Sequence, residues 1–259
     1  PPPPVFFFKQ TTATDIRNCD WSADVCSPIY KKPKVRSKAD KSPVTIADTS
    51  AEKAAIKVIR KHFPNHAIFG EESGHRKTSS EFTWIIDPID GTRNFIAGIP
   101  LWGNLIALAH QDHVVLGISN VPLLNERLWA ERGTGAFLNG NPVRVSAKSA
   151  LRDSMVSFSS VVSFHKTRRE PNLLNLLHAT ARQRAFGDLW PYHLLASGKL
   201  EIVIEAQIKP VDVAPFVCII EEAGGSTSDL LGRPFSLGIR NFAATNGKLH
   251  QRTVGYFKK

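Results

Sequence analysis

Along the chain, hydrophobic positions repeat first with a helical period and later with the short runs and alternation of strands. Ala51, Ala55, Val58, Ile59, His62 and Phe63 fall on one side of a 3.6-residue period, and Thr49 with Glu52 has the spacing of a capping box. This predicts a helix over residues 49–62, ended by Pro64. Residues 82–86 form an aromatic, apolar run that reads as a buried strand, stopped at Asp87-Pro88 because proline has no amide to donate. Further strands are predicted at 101–110, 114–121 and 126–132, and Asn139-Gly140-Asn141-Pro142 marks a turn between 136–138 and 143–145. One sheet of antiparallel character takes them all. Beyond Ala150, strands at 154–158 and 201–205 alternate with helices at 171–183, 189–197 and 212–223. Asp212 is expected to cap the last helix, with Pro215 in its first turn, where a missing amide is harmless, and Gly224-Gly225 at its end.

Composition narrows the class. The 259 residues, 42% hydrophobic and 22% charged, suit one large globular domain or two modest ones and exclude a fibre, a coiled coil or a disordered tail. No apolar run approaches the roughly 20 residues that a bilayer crossing requires, so no membrane partner is expected. Residues 1–35 carry four leading prolines, a Phe triplet and the start of a basic run, and read as a variable, poorly ordered leader without the pattern of a secretory signal. Residues 36–150 then form an N-terminal half and residues 151–259 a C-terminal half.

Cys19, Cys26 and Cys218 are too scattered for a disulfide framework or a Cys-x-x-Cys zinc site, which points to a reducing, cytoplasmic compartment. Lys plus Arg outnumber Asp plus Glu by 33 to 23, a net charge of +10 that favours anionic partners. Residues 1–41 hold eight of the basic groups and four of the acidic ones, so part of that bias belongs to the leader and not to a site.

Acidic residues stand where predicted elements end: Asp48, Glu71 and Glu72 in Gly70-Glu71-Glu72-Ser73-Gly74, Asp87 and Asp90 in Asp87-Pro88-Ile89-Asp90-Gly91-Thr92, and Asp212. Element ends are where a scaffold presents reactive groups. Asp87 and Asp90, three apart around a proline, can turn both carboxylates to one side of a tight loop, with the Ile89 carbonyl between them. An all-oxygen cup of this kind suits Mg²⁺ or Mn²⁺. Like charges packed this closely raise one another's pKa unless a cation neutralises them. Gly91 and Thr92 open a short helix towards Ile96, and its first amides offer a cradle for phosphate.

Other signals read as architecture. Gly133-Thr134-Gly135 with Gly140 lacks the spacing of a dinucleotide fingerprint, His110-Gln111-Asp112-His113 is a hairpin tip, and no Gly-x-Ser-x-Gly elbow is present. Trp84, Trp102, Trp129 and Trp190 read as core, not as a base-stacking platform, and no nucleic-acid partner is expected.

The three blocks Gly70-Glu71-Glu72-Ser73, Asp87 to Thr92, and Asp212 with Glu221-Glu222-Ala223-Gly224-Gly225 resemble the inositol monophosphatase superfamily of Mg²⁺-dependent, lithium-sensitive phosphatases. Within it, Ser42 to Asp48, the stretch from Phe95 to Gly103 with Leu105 to Leu108, and Gly187-Asp188 are most similar to the histidinol-phosphate phosphatase subfamily. The resemblance covers residues 36–259. It implies an α/β fold (α+β in order), layered αβαβα, and a homodimer acting on a small phosphorylated substrate in histidine biosynthesis. It implies two or three Mg²⁺ ions per site, replaceable by Mn²⁺, with Glu71, Asp87, the Ile89 carbonyl, Asp90 and Asp212 as ligands. Glu71, Thr92 and Asp48 would hold and deprotonate the attacking water, Asp90, Gly91 and Thr92 would hold the phosphate, and Lys38 would lie on a loop that closes over the metals. Asp188, Glu205 and Asp212 would face the body of the substrate, although Asp188 reads equally as a helix cap and Glu205 as a strand end. Val211 departs from the family's pattern, which has an aromatic residue there. Inositol monophosphatase, 3′-phosphoadenosine-5′-phosphate phosphatase and a catalytically silent anion-binding homologue are the alternatives.

Overall fold

The computed structural model of the protein describes Cys26, Tyr30, residues 34–38 and residues 43–258. In chain order its elements are β1 (Val35–Ser37), β2 (Pro43–Thr45), α1 (Ile46–His62), β3 (Ala67–Gly70), β4 (Gly74–Arg76), β5 (Phe82–Asp90), α2 (Thr92–Ala97), β6 (Gly103–His110), β7 (His113–Val121), β8 (Glu126–Glu131), β9 (Gly135–Leu138) and β10 (Asn141–Val143). There follow β11 (Met155–Phe158), α3 (Val161–Lys166), α4 (Glu170–His178), β12 (Arg182–Arg184), α5 (Trp190–Ala196), β13 (Ile202–Ala206), α6 (Pro210–Glu222), β14 (Ser226–Ser228), β15 (Asn241–Thr245) and α7 (His250–Gly255).

Eight strands form one sheet in the order β10-β9-β8-β7-β6-β5-β3-β4, antiparallel except where β3 meets β5. A second sheet has the order β12-β11-β13-β15-β14, with β11 parallel to both neighbours. Strand alternation then sorts the layers. Ile68, Trp84, Ile86, Ile106 and Leu108 turn one face of the large sheet towards Ala55 and Ile59 of α1. Ile85, Leu105 and Ala107 turn the other face towards α5 and α6, whose far side meets Val203, Phe242 and Ala244 of the second sheet. Ile202, Ile204 and Ala243 then face α3, α4 and α7 through Phe164, Leu173, Leu176, Leu249 and Val254. The layers are αβαβα, as expected. Each fully buried Leu, Ile or Phe in them contributes about 1.5–3 kcal/mol.

Several elements depart from the sequence expectation. α1 starts three residues early, at Ile46, because Thr45 and Asp48 make the capping box instead of Thr49 and Glu52. β5 does not stop at Ile86 but runs on to Asp90 through a bulge. The helix expected over residues 171–183 ends at His178, and Arg182–Arg184 becomes an edge strand. Asp212 is the third residue of α6 and not its cap. Pro215 lies in the second turn of α6, so the Val211 carbonyl loses its helical partner, yet the helix stays continuous because its apolar surface is gripped on all sides. Gly117 allows that grip: a Cβ there would lie 2.1 Å from the Pro215 carbonyl oxygen.

The leader, Cys19 included, lies outside the described residues except for Cys26, Tyr30, Lys34 and Val35. Two of these are packed, against expectation. Cys26 is buried with Ala47, Ala51, Ile89, Phe95 and Trp102, and the Tyr30 ring lies 5.6 Å from both Phe95 and Trp102. Burial pushes the Cys26 thiol up to about 12, with Asp48 adding to the shift, which leaves it unreactive. Among the described residues no helix is long and apolar enough to cross a membrane.

Candidate active site

The site begins at the bulge in β5. The pairing with β6 moves from Asp87 opposite Leu105 to Asp90 opposite Gly103, so three steps on β5 match two on β6. The extra residue swings the chain away from the ladder and aims both acids at one cleft. Pro88 has no amide to lose, and its carbonyl accepts from Asn104 Nδ2 at 2.5 Å. Asp87 Oδ1 accepts from the Ile89 amide at 3.0 Å, which closes a local turn. Gly91 follows at φ 81°, and a Cβ there would lie 2.9 Å from the Leu101 carbonyl oxygen, so glycine alone fits both conformation and space. Its position delivers the chain into α2.

Glu71 and Glu72 occupy the turn after β3. Glu52 of α1 clamps this turn by accepting the Glu72 and Ser73 amides, each at 2.8 Å. Asp48 Oδ2 accepts from the Thr45 amide and hydroxyl at 2.7 and 2.6 Å, leaving Oδ1 to face the Thr92 hydroxyl at 3.2 Å. That hydroxyl also lies 3.0 Å from the Ile89 carbonyl oxygen. Its single proton therefore has two acceptors to choose between. Asp212 Oδ2 accepts from the Lys209 amide at 2.8 Å.

Glu71, Asp87, Ile89, Asp90, Gly91, Thr92, Asp188 and Asp212 line one cavity of about 330 Å³. The structure thus brings together most of the residues singled out by sequence, with Asp48 behind Thr92 and Lys38 Nζ 3.1 Å from Glu71 Oε1 and 2.5 Å from Glu72 Oε1. Asp188, at φ 41°, makes no cap for α5; Asn94 of α2 donates to its Oδ2 at 2.7 Å and holds it on the cleft. Glu205 does not line this cavity but lies buried in β13, close enough to interact with Asp90 and Asp212. Sequence reasoning missed Lys209, whose Nζ lies 3.0 Å from Glu71 Oε1, and also Glu52, Asn94 and Asn104. The signal for Lys209 was its place three residues before Asp212 at the mouth of α6. Val211 packs into the core beside the site.

The charges are unbalanced. Burial raises Asp87 and Asp90 well above the ordinary carboxylate range, and repulsion adds to it, from Glu71 and Asp90 on the first and from Asp188 and Asp212 on the second. Asp212 is pushed up to about 6 and Glu205 to about 8, again by burial first and then by neighbouring acids. Burial alone would raise Glu71, but the Lys209 and Lys38 ammoniums overcome it and hold its carboxyl below its usual value. Among the described residues no three acids are already drawn together as a closed metal cage. The donors nonetheless fit hard cations: they are all oxygen, in excess of the available lysines, and penalised for their charge until a cation arrives.

A family model, the inositol monophosphatase family, matches residues 9–259. This chain belongs to the inositol monophosphatase family. A histidinol-phosphatase of Streptomyces coelicolor is 35% identical over 235 residues, 87% of this chain and 88% of its own. A fructose-1,6-bisphosphatase/inositol-1-monophosphatase of Thermotoga maritima is 33% identical over 219 residues, 83% of this chain and 82% of its own. Among solved structures, a Thermotoga maritima IMPase superposes with a TM-score of 0.85 at 31% identity, covering 95% of this chain and 96% of that one. The inositol monophosphatase family comprises phosphatases of phosphate monoesters, generally metal-dependent, and this member is such a phosphatase.

Proposed function

We propose that the chain hydrolyses L-histidinol phosphate to L-histidinol and phosphate, with Mg²⁺ as its metal. The observation that carries the substrate reading is the second acidic group beyond the metal-ligand candidates. Asp188 lines the cleft and Glu205 lies buried behind it, close enough to interact with Asp90 and Asp212; on this reading they form the end of the site that takes the part of the substrate other than phosphate. A substrate body carrying an ammonium and an imidazole neutralises this end, whereas a polyol leaves it uncompensated and a second phosphate is repelled by it. The S. coelicolor histidinol-phosphatase supports the same reading.

Glu71, Asp87, Asp90, Asp212 and the Ile89 carbonyl would hold the cations. When bound, divalent ions polarise the phosphate oxygens and lower the pKa of water. The chain's own groups do the rest. Thr92 donates its hydroxyl proton to Asp48 Oδ1 and accepts a proton of the attacking water on its lone pair, which points the water at phosphorus. Asp48 and Glu71 take up the proton that the water releases. As the first amides of the Gly91-Thr92 turn into α2, the N–H groups of these two residues have no intrahelical acceptor and are available to phosphate oxygens. Lys38 closes over Glu71 and Glu72 and shields the cleft from bulk water.

The test is phosphate release from L-histidinol phosphate, inositol 1-phosphate and 3′-phosphoadenosine-5′-phosphate, each with Mg²⁺ and with chelator. Histidinol phosphate should give the highest kcat/KM, and chelator should stop all three. Similar kcat/KM for the three esters would overturn the substrate assignment, and turnover in chelator would overturn the metal assignment.

A further inference from the structure

A second cavity, about 640 Å³, adjoins the acid cleft and shares Glu71, Gln207 and Lys209 with it. Its charge is reversed. Among the described residues it is lined by no carboxylate apart from Glu71 on the common wall, while Arg169, Arg240 and Lys209 stand around it. Among the described residues the two guanidiniums hydrogen-bond only to backbone carbonyls: Arg169 Nη1 lies 3.4 Å from the Thr167 oxygen and Arg240 Nη1 2.7 Å from the Ile239 oxygen. Among the described residues neither has an acidic partner. Elsewhere in the molecule Arg132 and Arg233 do, pairing with Glu221 at 2.5 Å and Asp229 at 2.7 Å.

Three segments build this wall. Arg169 comes from the link between α3 and α4, Gln207 follows β13, and Arg240 precedes β15, tied to the Gln207 side by the Ile208 amide donating to the Arg240 carbonyl at 3.1 Å. Gln207, where the two cavities meet, has φ 59°, a left-handed conformation that a side-chain-bearing residue adopts only when its surroundings impose it. Phe69, Ile208 and Leu237 supply apolar lining to the same cavity. Guanidiniums without acids in a cavity that also carries apolar side chains match a carboxylate or phosphate group carried on a compact apolar body.

We propose that the larger cavity is a binding site for a small organic anion, separate from the catalytic cleft and of opposite charge. It does not depend on the substrate assigned to the cleft. Arg169 and Arg240 hold the anionic group, Lys209 turns from Glu71 to add a third cation, and the apolar side chains cover the body of the ligand.

Chelator isolates the site, because the cleft without cations presents carboxylates and repels anions. Titration calorimetry of the full chain in chelator should show saturable binding of benzoate, with benzyl alcohol at least tenfold weaker. Replacing both arginines, Arg169→Gln with Arg240→Gln, should weaken benzoate at least tenfold, and each single change should weaken it less. Asp90→Asn in the cleft should leave benzoate binding unchanged. The proposal is overturned if benzoate shows no saturable binding, if benzyl alcohol binds as tightly, or if the arginine variants, folded by circular dichroism, bind benzoate like the wild type. Saturable binding of inorganic phosphate without benzoate would overturn the organic-anion assignment. Loss of benzoate binding in Asp90→Asn would place the ligand in the cleft and overturn the proposal as well.

Discussion

Two buried polar clusters in this protein are built on opposite principles. His193 of α5 is 1% exposed, yet both ring nitrogens are satisfied: Nδ1 lies 3.0 Å from Glu126 Oε2 and Nε2 lies 2.8 Å from Ser119 Oγ. The carboxylate only accepts, so Nδ1 carries the proton and Nε2 accepts from the serine hydroxyl. Burial lowers the pKa of His193 and Glu126 works against that shift, so a neutral ring sits in a closed network. In the acid cleft burial and neighbouring charge act in the same direction on Asp87, Asp90 and Glu205. Lys38 and Lys209, at the Glu71 end, oppose them. A polar cluster that closes on itself holds the fold; one that stays out of balance marks where a ligand supplies the missing charge.

Breaking the unbalanced cluster should cost activity and spare the fold. Asp90→Asn should lower kcat about 10³-fold or more, the several kcal/mol that a misplaced cation withholds from the transition state, in steady-state phosphate release. Its circular dichroism should match that of the wild type. Cation binding should also appear as stability. At about 100 times its dissociation constant, Mg²⁺ contributes roughly 2.7 kcal/mol, or a rise in Tm of about 5–10 °C over chelated protein. Asp90→Asn should lose most of that rise.

The closed cluster should behave in reverse. His193→Leu leaves the buried Ser119 hydroxyl without its partner and should cost about 1–3 kcal/mol by urea denaturation, with kcat unchanged and the Mg²⁺-dependent rise in Tm intact. The smallest effect is acid sensitivity. Because the pKa of His193 is lowered in the folded chain, the unfolded chain takes up the proton first. The stability it contributes is whole above the unfolded value of about 6.5 and is lost as pH falls from there through the lowered folded value, at about 1.4 kcal/mol per unit of displacement. The fall in stability below pH 6.5 should be shallower in His193→Leu.

What the sequence could disclose depended on distance along the chain. The acids of Asp87 to Thr92 lie in one string, and the turn Asn139-Gly140 lies between two strands that it joins, so local spacing sufficed for both. The early stop placed at Ile86 misjudged Pro88, because the bulge and the Asn104 side chain that accommodates it come from the pairing with β6. Glu52 looked like half of a capping box, while its actual partners are amides 20 and 21 residues away. Lys209 meets Glu71 across 138 residues and Asn94 meets Asp188 across 94, contacts that no local period encodes. The helix expected through Gln183 ended early because the Arg182–Arg184 segment pairs with β11, a tertiary gain that outweighs local propensity.

The cleft's excess negative charge exists to bind hard cations. Calorimetric titration of Mg²⁺ into chelator-stripped protein, wild type beside Asp90→Asn, tests it most directly. Saturable binding of more than one ion to the wild type, with loss of at least one of them in the variant, is expected. Absence of saturable binding to the wild type at millimolar Mg²⁺, or identical isotherms for the two proteins, would contradict it.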